Sequence, residues 1–197
     1  MVEQSTKEKL MASALDLFST KGYSATSVDE IAENIGIKGP NLYKYFKGKE
    51  DLLDEIFDSI DEEYRTEIGI RNQGLYGISS GEEFKNFCMK QIKYTVKNDS
   101  TKKIRRIMTL EQFRNKKMAA FETYHQIELI EDMYTKVFDE LIANKVMKNV
   151  HDSRDTAFLF SAPITVMIQM ADRQPSKQKE ALARIEKHID YFIHVYF

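Results

Sequence analysis

Residues 26–49, TSVDEIAENIGIKGPNLYKYFKGK, decide how the rest of the chain is read. Ser27 is a favoured helix N-cap, and Glu30 three positions on completes an S-x-x-E capping box. Val28, Ile31, Ala32 and Ile35 recur at helical spacing, which gives a first short helix one apolar face. Gly36 stands where that helix must stop, and it tolerates the left-handed backbone of a sharp reversal. Pro40 suits the first turn of a second helix, where its missing N–H costs nothing. Leu42 and Phe46 form the inner edge of this second helix and leave Asn41, Lys44 and Tyr45 on other faces. A helix this short is not stable alone. Its neighbours must hold it while its outer surface stays open. That is the construction of a helix-turn-helix, whose second helix enters the DNA major groove.

Charge follows the same division. Between Gly36 and Lys49 there are four lysines (Lys38, Lys44, Lys47 and Lys49) and no acid. The preceding Val28–Ile35 segment carries Asp29, Glu30 and Glu33 and no base. Positive charge is thus concentrated where phosphates would lie. Tyr43 and Tyr45 add hydroxyls that can reach backbone oxygens. The expected base-facing residues are Lys38, Gly39, Pro40, Asn41 and Lys44. The expected phosphate contacts are Thr26, Ser27, Tyr43, Tyr45 and Lys49. The Asn41 amide can pair with adenine and the Lys44 ammonium with guanine.

The run ATSVDEIAENIGI from Ala25, then Leu42-Tyr43-Lys44-Tyr45-Phe46, then Lys49-Glu50-Asp51-Leu52-Leu53, resembles the TetR family of bacterial transcriptional repressors. The motif spacing matches without insertion and covers roughly the first quarter of the chain. The Lys38-Gly39-Pro40-Asn41 order departs from many relatives, so no base preference is carried over. The resemblance implies a repressor whose C-terminal body binds a small molecule. Occupancy would shift a connecting helix, change the separation of two heads and release DNA. Physically, such a ligand must bind one head spacing better than the other.

Composition sets outer limits. The chain has 197 residues, 42% apolar and 30% charged, with a net charge of −2. That excludes a broadly basic nucleic-acid coat, so DNA binding must be local. Cys88 is the only cysteine, which fits a reducing compartment. No apolar run approaches the ~20 residues of a membrane span. The start, Met1 to Lys7, lacks the apolar core of a signal peptide, and a cytoplasmic location is expected. All eight glycines precede residue 82 and no useful strand alternation is present, so the fold is expected to be all-α with about nine helices.

In chain order, the reading gives a helix over about 6–20 with Leu10, Ala14, Leu17 and Phe18 on one stripe, closing the head. Lys21 and Tyr23 at its exit are expected to be solvated. The helix-turn-helix DNA-binding domain is placed at 1–48. A ligand-binding and dimerisation domain is placed at 49–197, with a connecting helix at 49–71 and a loop at 72–81. The body is expected as five helices, at about 82–97, 102–113, 117–146, from Ser153, and after Pro175. The basic run Lys102, Lys103, Arg105 and Arg106 is expected to be a solvated face.

The last two helices are apolar beyond a single stripe, which calls for a partner. A symmetric dimer is expected there, through Phe158, Val166, Met170, Ile185, Ile189 and Phe192. Two-fold heads would read palindromic half-sites ~34–36 Å apart. The effector of unknown identity is expected to be hydrophobic or aromatic. Its expected contacts are Tyr64, Phe87, Met108, Phe113, Phe121, Tyr124, His125 and Met167, since aromatic and methionine side chains line adaptable pockets.

Other chemistry is thinly supported. Glu122 and His125 make a single Glu-x-x-His, whereas a di-iron bundle needs two such pairs and two further glutamates. His188 and His194 lie on different helix faces and make a poor metal pair. Cys88 is flanked by apolar residues, the setting of an inert core thiol. No catalytic residues, metal or cofactor are expected. The rival readings are a helical-bundle enzyme and a protein-interaction module.

Overall fold

The computed structural model describes residues 4–68 and 77–197, and among these there are nine α-helices and no strand. The helices are α1 (Thr6–Lys21), α2 (Val28–Glu33), α3 (Lys49–Ile68), α4 (Gly81–Lys97), α5 (Asp99–Glu111), α6 (Lys116–Thr123), α7 (Leu129–Ala143), α8 (Ser153–Arg173) and α9 (Gln178–Tyr196). They form two compact units, one from Met1–Gly69 with Asp99–Ala119 and the other from Ile70–Asn98 with Ala120–Phe197. The expected loop at 72–81 lies outside the described residues up to position 76.

In the first unit, α1 is launched by a capping box in which Ser5 and Glu8 satisfy each other's backbone N–H groups. Leu10, Ala14 and Phe18 of α1 are fully buried, with Ile31 and Ala32 of α2 and Leu52 and Leu53 of α3. Ser13 is buried between α1 and α2. Its hydroxyl donates to the Ile31 carbonyl at 3.0 Å and accepts from the Asn34 amide at 3.0 Å. α2 ends in paired bonds, Ile37 N–H to Ala32 O and Gly36 N–H to Glu33 O, with Gly36 at φ 78. This is the helix stop expected of that glycine.

α5 packs on α1 and α3 of the same unit. The basic run is therefore not a solvated face throughout. Arg105 is buried, and Lys103 binds Asp16 of α1 at 2.7 Å as well as Asp99. Lys117 reaches Glu50 at 2.7 Å and Asp54 at 3.0 Å on α3. At the α1 exit Lys21 stays exposed, as expected, whereas Tyr23 is half-buried. Lys21 pairs with Glu30, and the Tyr23 ring packs on Phe18 at 5.1 Å.

The second unit is organised on α7, α8 and α9, with α4 laid against α9. Phe84 of α4 is its centre, with ring contacts to Phe138, Phe160, Phe192 and Phe197 at 5.3–6.2 Å. α4 can approach α9 this closely because Gly81 has no side chain. A Cβ there would meet Ile193 Cγ2 at 2.5 Å. The helix expected over 117–146 is interrupted by a π turn at Tyr124–Glu128 between α6 and α7. Within that turn Gln126 is buried, donates to Glu122 and accepts from the Gln169 amide of α8 at 2.7 Å. A buried amide held from two sides is satisfied by this extra-wide turn.

Candidate nucleic-acid interface

The second element of the helix-turn-helix begins where Gly39-Pro40 was expected to begin it. It is a 3-10 segment, Gly39–Lys44, and not an α-helix. Asn41 N–H donates to Lys38 O and Tyr45 N–H to Leu42 O, both at 2.9 Å. Its start has proline but no side-chain cap, and six residues give little cooperative helix energy. With three residues per turn, side chains three apart eclipse each other. Gly39 and Leu42 make the inner edge, and both are buried. Pro40 with Tyr43, and Asn41 with Lys44, make the two other edges.

Packing holds this segment in place. Leu42 and Phe46 are buried, and burying two such side chains contributes on the order of 3–6 kcal/mol. That exceeds anything a six-residue turn supplies by itself. Gly39 sits against α2, where an added Cβ would lie 1.7 Å from Asp29 Oδ1. Glycine allows this close approach, since a side chain here would have to displace the Asp29 carboxylate.

The residues expected at DNA divide into two groups. Ser27, Lys38, Pro40, Tyr43, Lys44 and Tyr45 are exposed, Tyr43 by 60% and Tyr45 by 40%, and Asn41 is half-buried. Thr26, Gly39 and Lys49 face inward. Thr26 is buried and its hydroxyl donates to Gly22 O at 2.9 Å. Lys49 Nζ donates to Tyr23 O at 2.7 Å and Thr26 O at 2.8 Å, and lies 4.3 Å from the Tyr23 ring centre. Burial lowers the Lys49 pKa, while the nearby Glu111 charge pulls it up. Ser27 serves as the N-cap of α2, accepting from Glu30 N–H at 3.1 Å.

The residues expected at an effector are split between the units. Tyr64, Met108 and Phe113 belong to the first, with Met108 buried and Phe113 92% exposed. Phe87, Phe121, Tyr124, His125 and Met167 belong to the second. Three of these come together around the π turn: His125 stacks on Phe121 at 4.5 Å and meets the edge of Tyr124 at 5.1 Å. Met167 instead lines a shallow cleft of about 300 Å³ with Arg184, Lys187, His188 and Tyr191.

On the terminal pair, Phe158 and Val166 are about half exposed and Met170 is partly buried. Ile185, Ile189 and Phe192 point into the core of their own unit. Leu159, Tyr191 and Val195, each more than half exposed, extend the open apolar surface. Cys88 is buried beside the Tyr134 hydroxyl, and burial pushes its thiol pKa far up. Among the described residues no cluster of three or more His, Cys, Asp or Glu is placed to hold a metal. No helix among them is long and apolar enough to cross a membrane.

Sequence reasoning missed Ser13, Asn34 and Glu111, which tie the head together from inside. A lone serine or glutamate on a helix carries no local signal of its distant partner.

Fold and head together define an all-helical protein with an N-terminal helix-turn-helix. Residues 10–56 match the sequence profile of the family described as bacterial regulatory proteins, tetR family. Over this N-terminal segment, about a quarter of its length, the chain is similar to the DNA-binding domain of that family. Over 60 residues it is 42% identical to the probable HTH-type transcriptional regulator YttP of Bacillus subtilis, which is 30% of this chain and 29% of that protein. Over 49 residues it is 39% identical to IcaR, the negative transcriptional regulator of the biofilm operon icaADBC in Staphylococcus aureus, covering 25% and 26%. The chain thus spans under a third of the length of these curated relatives. The triclosan complex of SmeT aligns over 98% of this chain and 92% of that one, with a TM-score of 0.78 and 15% identity. Another structure of SmeT describes it as the repressor of the Stenotrophomonas maltophilia multidrug efflux pump SmeDEF. At such identity the likeness is one of fold.

Proposed function

We propose that this protein is a cytoplasmic, homodimeric transcriptional regulator that represses from a palindromic operator and is released by a small apolar or aromatic effector. The observation that carries the reading is the 3-10 segment. Its inner edge is buried, while Lys38, Asn41, Lys44 and Lys47 surround it with no acid between Gly36 and Lys49. Such a surface suits phosphates at its ends and base edges along its middle. The inward-turned Lys49 narrows the phosphate set to Ser27, Tyr43, Tyr45 and the outer lysines. Repression follows the relative IcaR, named as a negative regulator. An aromatic effector is supported by SmeT, whose structure holds triclosan, and by the Phe121–Tyr124–His125 cluster. The exposed apolar faces of α8 and α9 support self-association.

Selection of bound duplexes from a random pool tests this directly. The expected product is a palindrome with half-sites about one helical turn apart. Asn41→Ala should relax one base position, whereas Lys44→Ala should cost about 1–3 kcal/mol at one guanine step. Uniform loss from both variants on every sequence would contradict the assignment. A panel of phenolic and polycyclic compounds that left affinity for the selected duplex unchanged would remove the effector claim.

A further inference from the structure

The corner between α1 and α2, Gly22 to Thr26, is held from two sides by ionic groups. On one side is Lys49, whose ammonium is spent on the Tyr23 and Thr26 carbonyls. On the other is Glu111, the last residue of α5, whose side chain is almost wholly buried. Its two oxygens accept from the Ser24 hydroxyl at 3.1 Å and, longer, from the Ser24 N–H at 3.4 Å. The fit leaves no slack. Gly22 has φ +91, and a Cβ on it would lie 2.7 Å from Glu111 Oε1. A carboxylate buried at a loop must be satisfied by that loop, so the corner and α5 constrain each other. The corner in turn feeds straight into Ser27, the N-cap of α2.

We propose that Glu111 is a positioning residue for DNA binding, fixing with Lys49 the corner from which the helix-turn-helix is launched. The inference rests on the DNA-binding reading above. It makes an unusual prediction of sign. Glu111 is an acid in the unit that would approach a polyanion, so removing its charge should strengthen DNA binding if electrostatics alone mattered. A positioning role demands the opposite.

The test uses the full-length protein and the duplex that the wild type selects from a random pool, with an unselected duplex of equal length as control. Glu111→Ala and the near-isosteric Glu111→Gln are compared with Ser24→Ala. Glu111→Ala is expected to lose about tenfold in affinity for the selected duplex, the scale of one or two hydrogen bonds. Its affinity for the control duplex should hold or rise. Glu111→Gln keeps one acceptor and should lose less. Amide hydrogen exchange provides a readout without DNA: residues 24–35 should exchange faster in Glu111→Gln while α4 keeps its protection. Unchanged or tighter binding of the selected duplex by Glu111→Ala overturns the proposal, as does a loss of protection spread evenly over the whole chain. If the wild type enriches no duplex, the DNA-binding reading itself has failed and Glu111 is left as a structural tie, whatever the exchange data show.

Discussion

At Gly39 a single hydrogen atom decides whether the second element of the head can sit against α2. The space where a side chain would go is filled by the Asp29 carboxylate. Gly39→Ala should therefore destabilise the protein by about 1–3 kcal/mol, as overpacking does. Adding Asp29→Ala should recover much of that loss, which denaturant titration of the single and double variants would reveal as non-additivity. Lys49 presents the opposite case, a charge that sequence reading assigns to the outside and packing turns inward. Because its Nζ is occupied by two carbonyls, Lys49→Met should lower thermal stability. It should leave the salt dependence of DNA affinity unaltered, since no phosphate contact is removed. A shallower slope of log affinity against log salt in this variant would restore the phosphate role.

Elements come next. The 3-10 segment has the start that its residues announce, but a tighter pitch than an α-helix and an inner edge that takes in Gly39, expected at the bases, beside Leu42. Proline at its second position and only six residues leave the geometry to packing, and the eclipsed 3-10 rows suit one narrow buried edge. α5 shows what an element-level pattern conceals. Its basic run looks like a solvated face, yet Lys103 is bound between Asp16 and Asp99. The Lys103 hydrogen bond is the main cause that holds the Asp99 carboxyl below its ordinary value, and Asp16 and then Asp99 raise Lys103. For a depressed carboxylate, the stabilisation is present above the unfolded pKa and is lost as pH falls through the folded one. The Lys103–Asp99 pair within α5 should thus persist at neutral pH and weaken below about pH 4. Lys103→Met should flatten that acid limb in a stability-versus-pH titration, by a small amount because Asp99 is largely exposed.

For the whole molecule, the order of residues and the order of packing disagree. The first unit needs Asp99–Ala119, a segment that follows α4 of the second. A fragment of residues 1–71 would lack Ile104, Ile107, Met108 and Glu111, all buried in the full chain. Such a fragment is expected to melt broadly and well below the intact protein by circular dichroism, and a sharp melt at the full-length temperature would contradict this. The proposed self-association is the second matter at this scale. Leu159 and Val166 on α8 are exposed while Ile185 and Ile189 on α9 are not. Leu159→Arg should therefore give a folded monomer by sedimentation, whereas Ile189→Arg should simply unfold the second unit.

What the sequence by itself determined was local. The cap at Ser27, the reversal at Gly36, the start at Pro40 and the apolar stripes of α1 and α2 depend on residues within a few positions of each other. Their physics is complete in a short window. Only the tertiary structure decided which face of a two-faced helix turns inward, as for Ile185, Ile189 and Phe192. It alone decided that Lys49 faces a corner and not solvent, and that Glu111 closes that corner from 87 residues beyond Ser24. Such outcomes turn on burial and on hydrogen bonds between segments far apart in the chain. No local pattern encodes them, because a buried polar group is stable only where a particular distant partner arrives to satisfy it.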